Sequence, residues 1–311
     1  MIESIGLLVA GLVVLTVSAD RLVVAAARIS RRSGVPSLLI GALIIGVGTS
    51  VPELVVSLIA AEPDKALGNV IGSNISNLTL VLGAAAMVAP IRTHLSVIGR
   101  EGILMLSAVL LLAGLLADGK IDRADASILL IGLVVAVFLI VHWSSRSLVA
   151  AELDEELEHF AATTTSPMVA EAFVGLVAMF ATVTGAWLLV RGAEGVADEL
   201  DLTGAFVGLV ILAVGTSLPE LATSVAAVRR GESDLAVGNV LGSNVFNSLA
   251  IGGTVGLVHP GSTSDGFGAV VILMVMAAVT GGAFATTDRK IQRWEGAVLL
   301  FGFALLVVLA P

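Results

Sequence analysis

Long apolar runs separated by short polar ones organise this chain. Ten of them reach the length that crosses a bilayer, about twenty residues: 5–27, 38–60, 66–89, 97–117, 126–143, 168–192, 205–228, 235–258, 266–287 and 293–310. Five precede a polar connection at 144–167 and five follow it. The pattern predicts an all-α integral membrane protein of ten transmembrane helices. The first run reads as a helix and not as a cleaved signal peptide, because it is long, Asp20 and Arg21 come late in it, and no small-residue cleavage site follows.

Within the apolar pattern a polar signature is written twice. Residues 41–83 contain GTSVPEL and GNVIGSNISN, and residues 208–253 contain GTSLPEL and GNVLGSNVFN. Gly48 and Gly215, Glu53 and Glu220, and Ser57 and Ser224 are each 167 positions apart, and the same offset relates Ala19 to Ala186 and Leu22 to Leu189. Duplication therefore extends beyond the signature, giving one repeat over 1–143 and another over 168–311. An odd number of spans per copy turns the second copy upside down. Two inverted five-helix repeats are the architecture of many secondary transporters, with the ion site near the midplane between the halves.

Composition agrees with membrane residence and narrows the chemistry. The chain is 57% hydrophobic and 13% charged, with a mean hydropathy of +1.05, whereas soluble domains carry about 25% charged residues. Cysteine is absent, which excludes disulfides, thiolate metal sites and cysteine nucleophiles. Part of the net charge of −9 lies in ELDEELE at 152–158, which reads as a solvated linker. Taking the connections alternately puts eleven positive residues on one side, among them Arg28, Arg31, Arg92, Arg100, Arg230 and Lys290, and only Lys65, Lys120, Arg123 and Arg191 on the other. By the positive-inside bias the first side is cytoplasmic, so the termini are expected outside and the linker inside a cell membrane.

Glu53 and Glu220 lie inside spans, where a carboxylate is costly and faces a partner, an ion or water. Pro52 and Pro219 cannot donate to the preceding turn, so each helix is broken beside its carboxylate. Gly46 and Gly48 add backbone freedom there. Ser50, Glu53 and Ser57 recur at helical spacings of three and four, as do Ser73 with Asn77 and Ser243 with Asn247, presenting oxygens on one face. Histidine and cysteine are missing from the signature, and an all-oxygen set suits Ca²⁺ or Na⁺ over Zn²⁺ or Cu⁺. Gly41, Gly72, Gly83, Gly208, Gly242 and Gly253 read as packing glycines. Asn69, Asn74, Asn239 and Asn244 fit interhelical bonding or ion contact equally, and Asp20 and Arg21 read as a local ion pair or helix-end anchors.

The doubled GTSxPEL and GNVxGSNxxN signature resembles the calcium/cation antiporter superfamily, specifically its prokaryotic sodium/calcium exchanger branch, over essentially the whole ten-span layout. The resemblance implies alternating-access exchange at clustered midplane cation sites. It carries ligand roles onto Thr49, Ser50, Glu53, Ser73 and Asn77 in the first copy and Thr216, Ser217, Glu220, Ser243 and Asn247 in the second. Backbone carbonyls at Gly46 and Ala213 join them, although the proline rule frees Gly48 and Gly215 instead. Several relatives carry Asp where this chain has Asn247, which argues here against K⁺ co-transport and removes a protonatable group. The expected function is electrogenic Na⁺/Ca²⁺ antiport, with Ca²⁺/H⁺ antiport and a cation channel as alternatives. No enzyme, cofactor, nucleic acid or obligate protein partner is implied; the substrates are Ca²⁺ and Na⁺ and the surrounding phase is lipid.

Overall fold

The computed structural model describes residues 2–60, 62–94, 97–150, 167–199, 214–264, 267–287 and 290–309. Its helices are α1 Ile2–Ser33, α2 Ser37–Ile59, α3 Pro63–Val88, α4 Ile98–Asp118, α5 Arg123–Ala150, α6 Met168–Glu199, α7 Leu218–Arg229, α8 Ser233–Val258, α9 Phe267–Thr287 and α10 Arg293–Leu309. Eight of them, α1 to α6 with α8 and α9, are long and apolar enough to cross a membrane. α10 is a helix of 17 residues where a span is expected. Most of the first half of the run expected at 205–228, with Gly208 and Ala213, lies outside the described residues, as does the acidic run at 152–158.

The helices sort by how polar they are. α3 and α8 are the least apolar spans and the most enclosed, with 78% of their membrane-length windows buried, against 22–28% for α1, α5 and α6. Backbone groups satisfied within each helix allow the outer faces to be pure hydrocarbon, and large apolar side chains such as Val134, Phe138 and Phe180 point outward there. The polar signature residues of α3 and α8 face inward instead: Ser73, Asn77, Ser243 and Asn247 are all buried.

α1 and α6 form an antiparallel pair. Contacts step from Ser4 with Glu199 (2.9 Å) at one end, through Ser18 with Thr182 (3.0 Å), to Arg28 with Glu171 (3.0 Å) at the other. Glycine makes this approach possible, since a Cβ on Gly185 would lie 2.5 Å from the backbone nitrogen of Leu15. α2 and α8 also cross closely but in the same direction, Gly41 meeting Leu235 and Gly46 meeting Ser243. A Cβ on Gly242 would sit 2.2 Å from the carbonyl oxygen of Ala42, and those on Gly83 and Gly253 would meet Gly296 and Leu130 within 3 Å. These positions pack, as expected, whereas Gly72, expected to pack as well, faces open space with nothing within 4 Å of an added Cβ.

Two short antiparallel ladders tie the connections together. β1 (Ile91–Arg92) pairs with β4 (Lys290–Ile291), and β2 (Lys120–Ile121) pairs with β3 (Gly261–Ser262). At the β1–β4 end the last turn of α1 meets the connection between α7 and α8 through an Arg31–Glu232 ion pair. Asp20 is bound there by Arg230 in a two-pronged pair (2.6 and 2.5 Å). Of the two readings of Asp20 and Arg21 from sequence, local ion pair or helix-end anchors, the first is corrected for Asp20: it ties α1 to the C-terminal end of α7, a contact of 210 residues' separation that adjacency could not reveal.

Candidate cation site

Each signature breaks its helix at a serine. In α2 the helix runs to Thr49, turns at Ser50 (φ −85°, ψ 8°) and resumes at Val51; at Ser217 the same turn (φ −87°, ψ 4°) precedes α7. Proline two residues later sits in the first turn of the restarted segment, where its missing N–H costs least. The restarted segment is nine residues long in α2 and twelve in α7. That difference accounts for the three extra residues between Glu220 and Asn247, and Gly231 at φ 77° closes the longer helix. α3 and α8 each widen into a π turn that begins at the signature asparagine, Asn77–Val81 and Asn247–Ile251; such turns recur at functional sites.

The two copies pack crosswise. The segment bearing Glu53 lies against Asn247–Ile251, and the segment bearing Glu220 lies against Asn77–Val81. Glu53 and Glu220 are both fully buried, as are Ser50, Ser217, Asn77, Asn247 and Ser243. Ser50 donates to Glu220 Oε1 at 3.0 Å, joining one copy to the other. Ser243 donates to the carbonyl of Gly46 at 3.1 Å, and Thr49 reaches the carbonyl of Ile45 at 2.9 Å and Asn239 Oδ1 at 3.4 Å. Thr216 and Ser73 are buried in the second and first copies.

Asn69 and Asn239 are structural ties. Asn69 donates to the carbonyl of Glu53 and to Ser57 (both 2.9 Å), while Asn239 donates to the carbonyl of Glu220 (3.3 Å), to Thr223 (3.1 Å) and to Ser224 (2.9 Å). Both hold the backbone of the carboxylate-bearing turn against the next helix. Ser57, placed on the oxygen face by its spacing, is spent on this tie and on the carbonyl of Ala66. Gly48 and Gly215 face α6, where a Cβ would meet Met179 Sδ and Val190 Cγ2, so both are packing positions in this structure.

What the site does not satisfy internally is more informative. Among the described residues, both oxygens of Glu53, Oε2 of Glu220, the hydroxyls of Ser73 and Ser217, and both side-chain polar atoms of Asn77 and Asn247 are buried without a hydrogen-bond partner. Each such group costs about 1–3 kcal/mol in an apolar interior, more if charged, and native proteins keep only a few per hundred residues. Among the described residues, nine of the twelve such atoms lie on these six residues, whose segments pack crosswise. They are oxygen-bearing groups with two carboxylates, and among the described residues no cluster of three His, Cys, Asp or Glu exists. The arrangement presents hard, flexible oxygen coordination, the ligand type of Ca²⁺ and Na⁺.

A multi-pass helical membrane protein with a doubled, buried oxygen site is a cation transporter in class. The sodium/calcium exchanger protein family model matches residues 3–142 and 171–310, and the chain belongs to that family. It is 29% identical to the sodium/calcium exchanger MaX1 of Methanosarcina acetivorans, covering 97% of both chains. It is 37% identical to the inner membrane protein YrbG of Escherichia coli, over 84% of this chain and 82% of that one. Among solved structures it matches the sodium–calcium exchanger NCX_Mj soaked with 2.5 mM Na⁺ and 0.1 mM Ca²⁺, at a TM-score of 0.85 and 28% identity, covering 100% of this chain and 99% of that one.

Proposed function

We propose that the protein is a secondary active antiporter that exchanges Na⁺ for Ca²⁺ by alternating access, with Glu53 and Glu220 as the charged ligands of one shared Ca²⁺ position. The observation that carries this is the cluster of buried, unpartnered oxygens around two carboxylates. Thr49, Ser50, Ser73 and Asn77, with Thr216, Ser217, Ser243 and Asn247, complete the ligand set with the carbonyls of Gly46 and Ala213. Two ionised carboxylates balance one Ca²⁺, and the oxygens in excess of the six to eight that Ca²⁺ takes accommodate several Na⁺. A third Na⁺ leaves the loaded carrier one charge more positive, making exchange electrogenic and voltage-dependent.

Two inverted five-helix halves fit the directions of the helices. α1 and α6, equivalent by the 167 offset, run antiparallel. α2 runs with α8, while Asn239 joins α8 to the hairpin partner α7, so α7 opposes α2, its sequence equivalent. The two ladders obey the same relation, since an offset of 170 carries the Ile91–Ile291 pair onto Gly261–Ile121. The positive charge of the end bearing β1–β4, Arg31 and Arg230 supports a cytoplasmic reading of that end, with both termini outside and the acidic linker inside.

Uptake of ⁴⁵Ca²⁺ into proteoliposomes under imposed Na⁺, K⁺ or proton gradients tests this reading. An outward Na⁺ gradient should drive uptake. Uptake on a proton gradient alone would make the protein a Ca²⁺/H⁺ antiporter, and passage without any counter-ion would make it a channel.

A further inference from the structure

Between α3, α4, α8 and α9 lies a cavity of about 370 Å³, within the size range of small-molecule pockets, ~300–1,000 Å³. Its wall is hydrocarbon, with Leu78, Met105, Val240 and Leu241 among the lining side chains. The two hydroxyls on the lining are already used: Thr93 donates to the carbonyl of Ala285 (3.2 Å) and Thr286 to that of Ala283 (2.7 Å). A space of this kind gives water nothing to bond and suits an apolar chain. Two of its lining residues, Ile103 on α4 and Val279 on α9, are themselves 58% and 51% exposed. The cavity therefore opens sideways between α4 and α9, toward the phase that surrounds the apolar outer faces.

Its position along the bundle adds charge to this picture. Three cations flank lining residues at the β1–β4 end: Arg92 precedes Thr93, Lys290 precedes Ile291, and Arg100 stands between Ile98 and Gly102. The β1–β4 ladder sets Arg92 opposite Lys290. All three side chains are exposed, and none has an ion-pair partner among the described residues. At the same end Trp294 is 62% exposed and packs edge-on against Phe284, the placement of an aromatic side chain at headgroup level. With the two lining hydroxyls tied up, the recognisable ligand is one with an apolar chain and an anionic head.

We propose that this cavity is a lipid site that takes one acyl chain of an acidic phospholipid, entering between α4 and α9, with the headgroup phosphate on Arg92, Arg100 and Lys290. The chain lies against Leu78, the residue after Asn77, so the lipid backs the widened turn of α3 without touching the polar cluster. Basic pockets between membrane helices bind acidic headgroups in this way.

Native mass spectrometry of the full chain, released from nanodiscs of equal phosphatidylglycerol and phosphatidylcholine, tests the assignment independently of transport. The wild type should retain one phosphatidylglycerol in preference to phosphatidylcholine. Gly282→Leu fills the cavity from a position where an added Cβ meets nothing within 4 Å, and should lose that lipid. Arg92→Gln and Lys290→Gln lie on the surface and keep the test decisive whatever the folding of the cavity variant; each should weaken the phosphatidylglycerol preference roughly fivefold. Equal retention of both lipids by the wild type, undiminished phosphatidylglycerol on folded Gly282→Leu, or no change in either cation variant would overturn the proposal.

Discussion

Ser50 and Ser217 hold the same place in two copies of one motif, at nearly identical backbone angles, yet they do different things. Ser50 crosses to the carboxylate of Glu220, whereas Ser217 and both oxygens of Glu53 have no partner. The same split appears one helix on, where Ser243 holds the carbonyl of Gly46 and Ser73 holds nothing. The duplicated sequence is therefore not matched by a duplicated set of side-chain bonds. Glu220 is anchored by a side-chain donor from the other copy, and Glu53 has no such donor among the described residues.

The most severe way to break this comparison is to remove either charge. Glu53→Gln and Glu220→Gln should each reduce Ca²⁺ uptake by on the order of 100-fold or more, because stripping one member from a buried charge set costs about 3–5 kcal/mol. If the anchoring difference is real, only Glu220→Gln should also alter the stability of ion-free protein. Normal uptake by either variant in proteoliposomes would remove that residue from the site.

The serines separate the copies more finely. Ser50→Ala deletes a hydrogen bond to a buried carboxylate, worth about 1.5–3 kcal/mol, while Ser217→Ala deletes a hydroxyl with no partner. Unfolding in detergent without Na⁺ or Ca²⁺ should show Ser50→Ala clearly destabilised and Ser217→Ala near wild type. Equal melting would mean that the cross-copy bond carries no weight.

The glycines before each break differ by what they touch. Gly215→Ala drives a methyl into Val190, whose β-branched side chain has little rotamer freedom in a helix. Gly48→Ala meets the sulfur of Met179, which can swing away. Thermal denaturation should cost Gly215→Ala about 1–3 kcal/mol and Gly48→Ala less than about 1 kcal/mol; the reverse order would place the rigid contact in the wrong half.

Asn247→Asp is the gentlest probe, adding from the second copy a third carboxylate to the two of the shared site. Ca²⁺ uptake should then become inhibited by acid, with its pH midpoint raised on the order of one unit by like-charge repulsion. An unchanged pH profile in an active variant would show that position 247 stands apart from the two glutamates.

Much of this was legible in the chain because hydrophobic runs and repeated polar spacing are properties of single helices. Eight of the ten expected spans and the inward face of Ser73 and Asn77 follow from local periodicity, and the break beside each carboxylate follows from its proline. Partnerships between helices do not. That Ser57 is consumed by Asn69, that Asp20 is held by Arg230 and that Ser50 serves the other copy's glutamate depend on tertiary approach, which a one-dimensional pattern lacks. The two-residue ladders β1–β4 and β2–β3 are too short to carry any alternation, and the widened turns at Asn77 and Asn247 change hydrogen bonding without changing composition.

The central claim is that two sequence copies make one shared Ca²⁺ position. Equilibrium binding of ⁴⁵Ca²⁺ to purified protein in Na⁺-free buffer tests it directly, on the wild type and on Glu53→Gln and Glu220→Gln. One ion per wild-type chain and none on either variant at the same free Ca²⁺ is the expected result, with Na⁺ displacing the bound ion. Two ions on the wild type, each lost separately by one substitution, would contradict it and make the copies two independent sites.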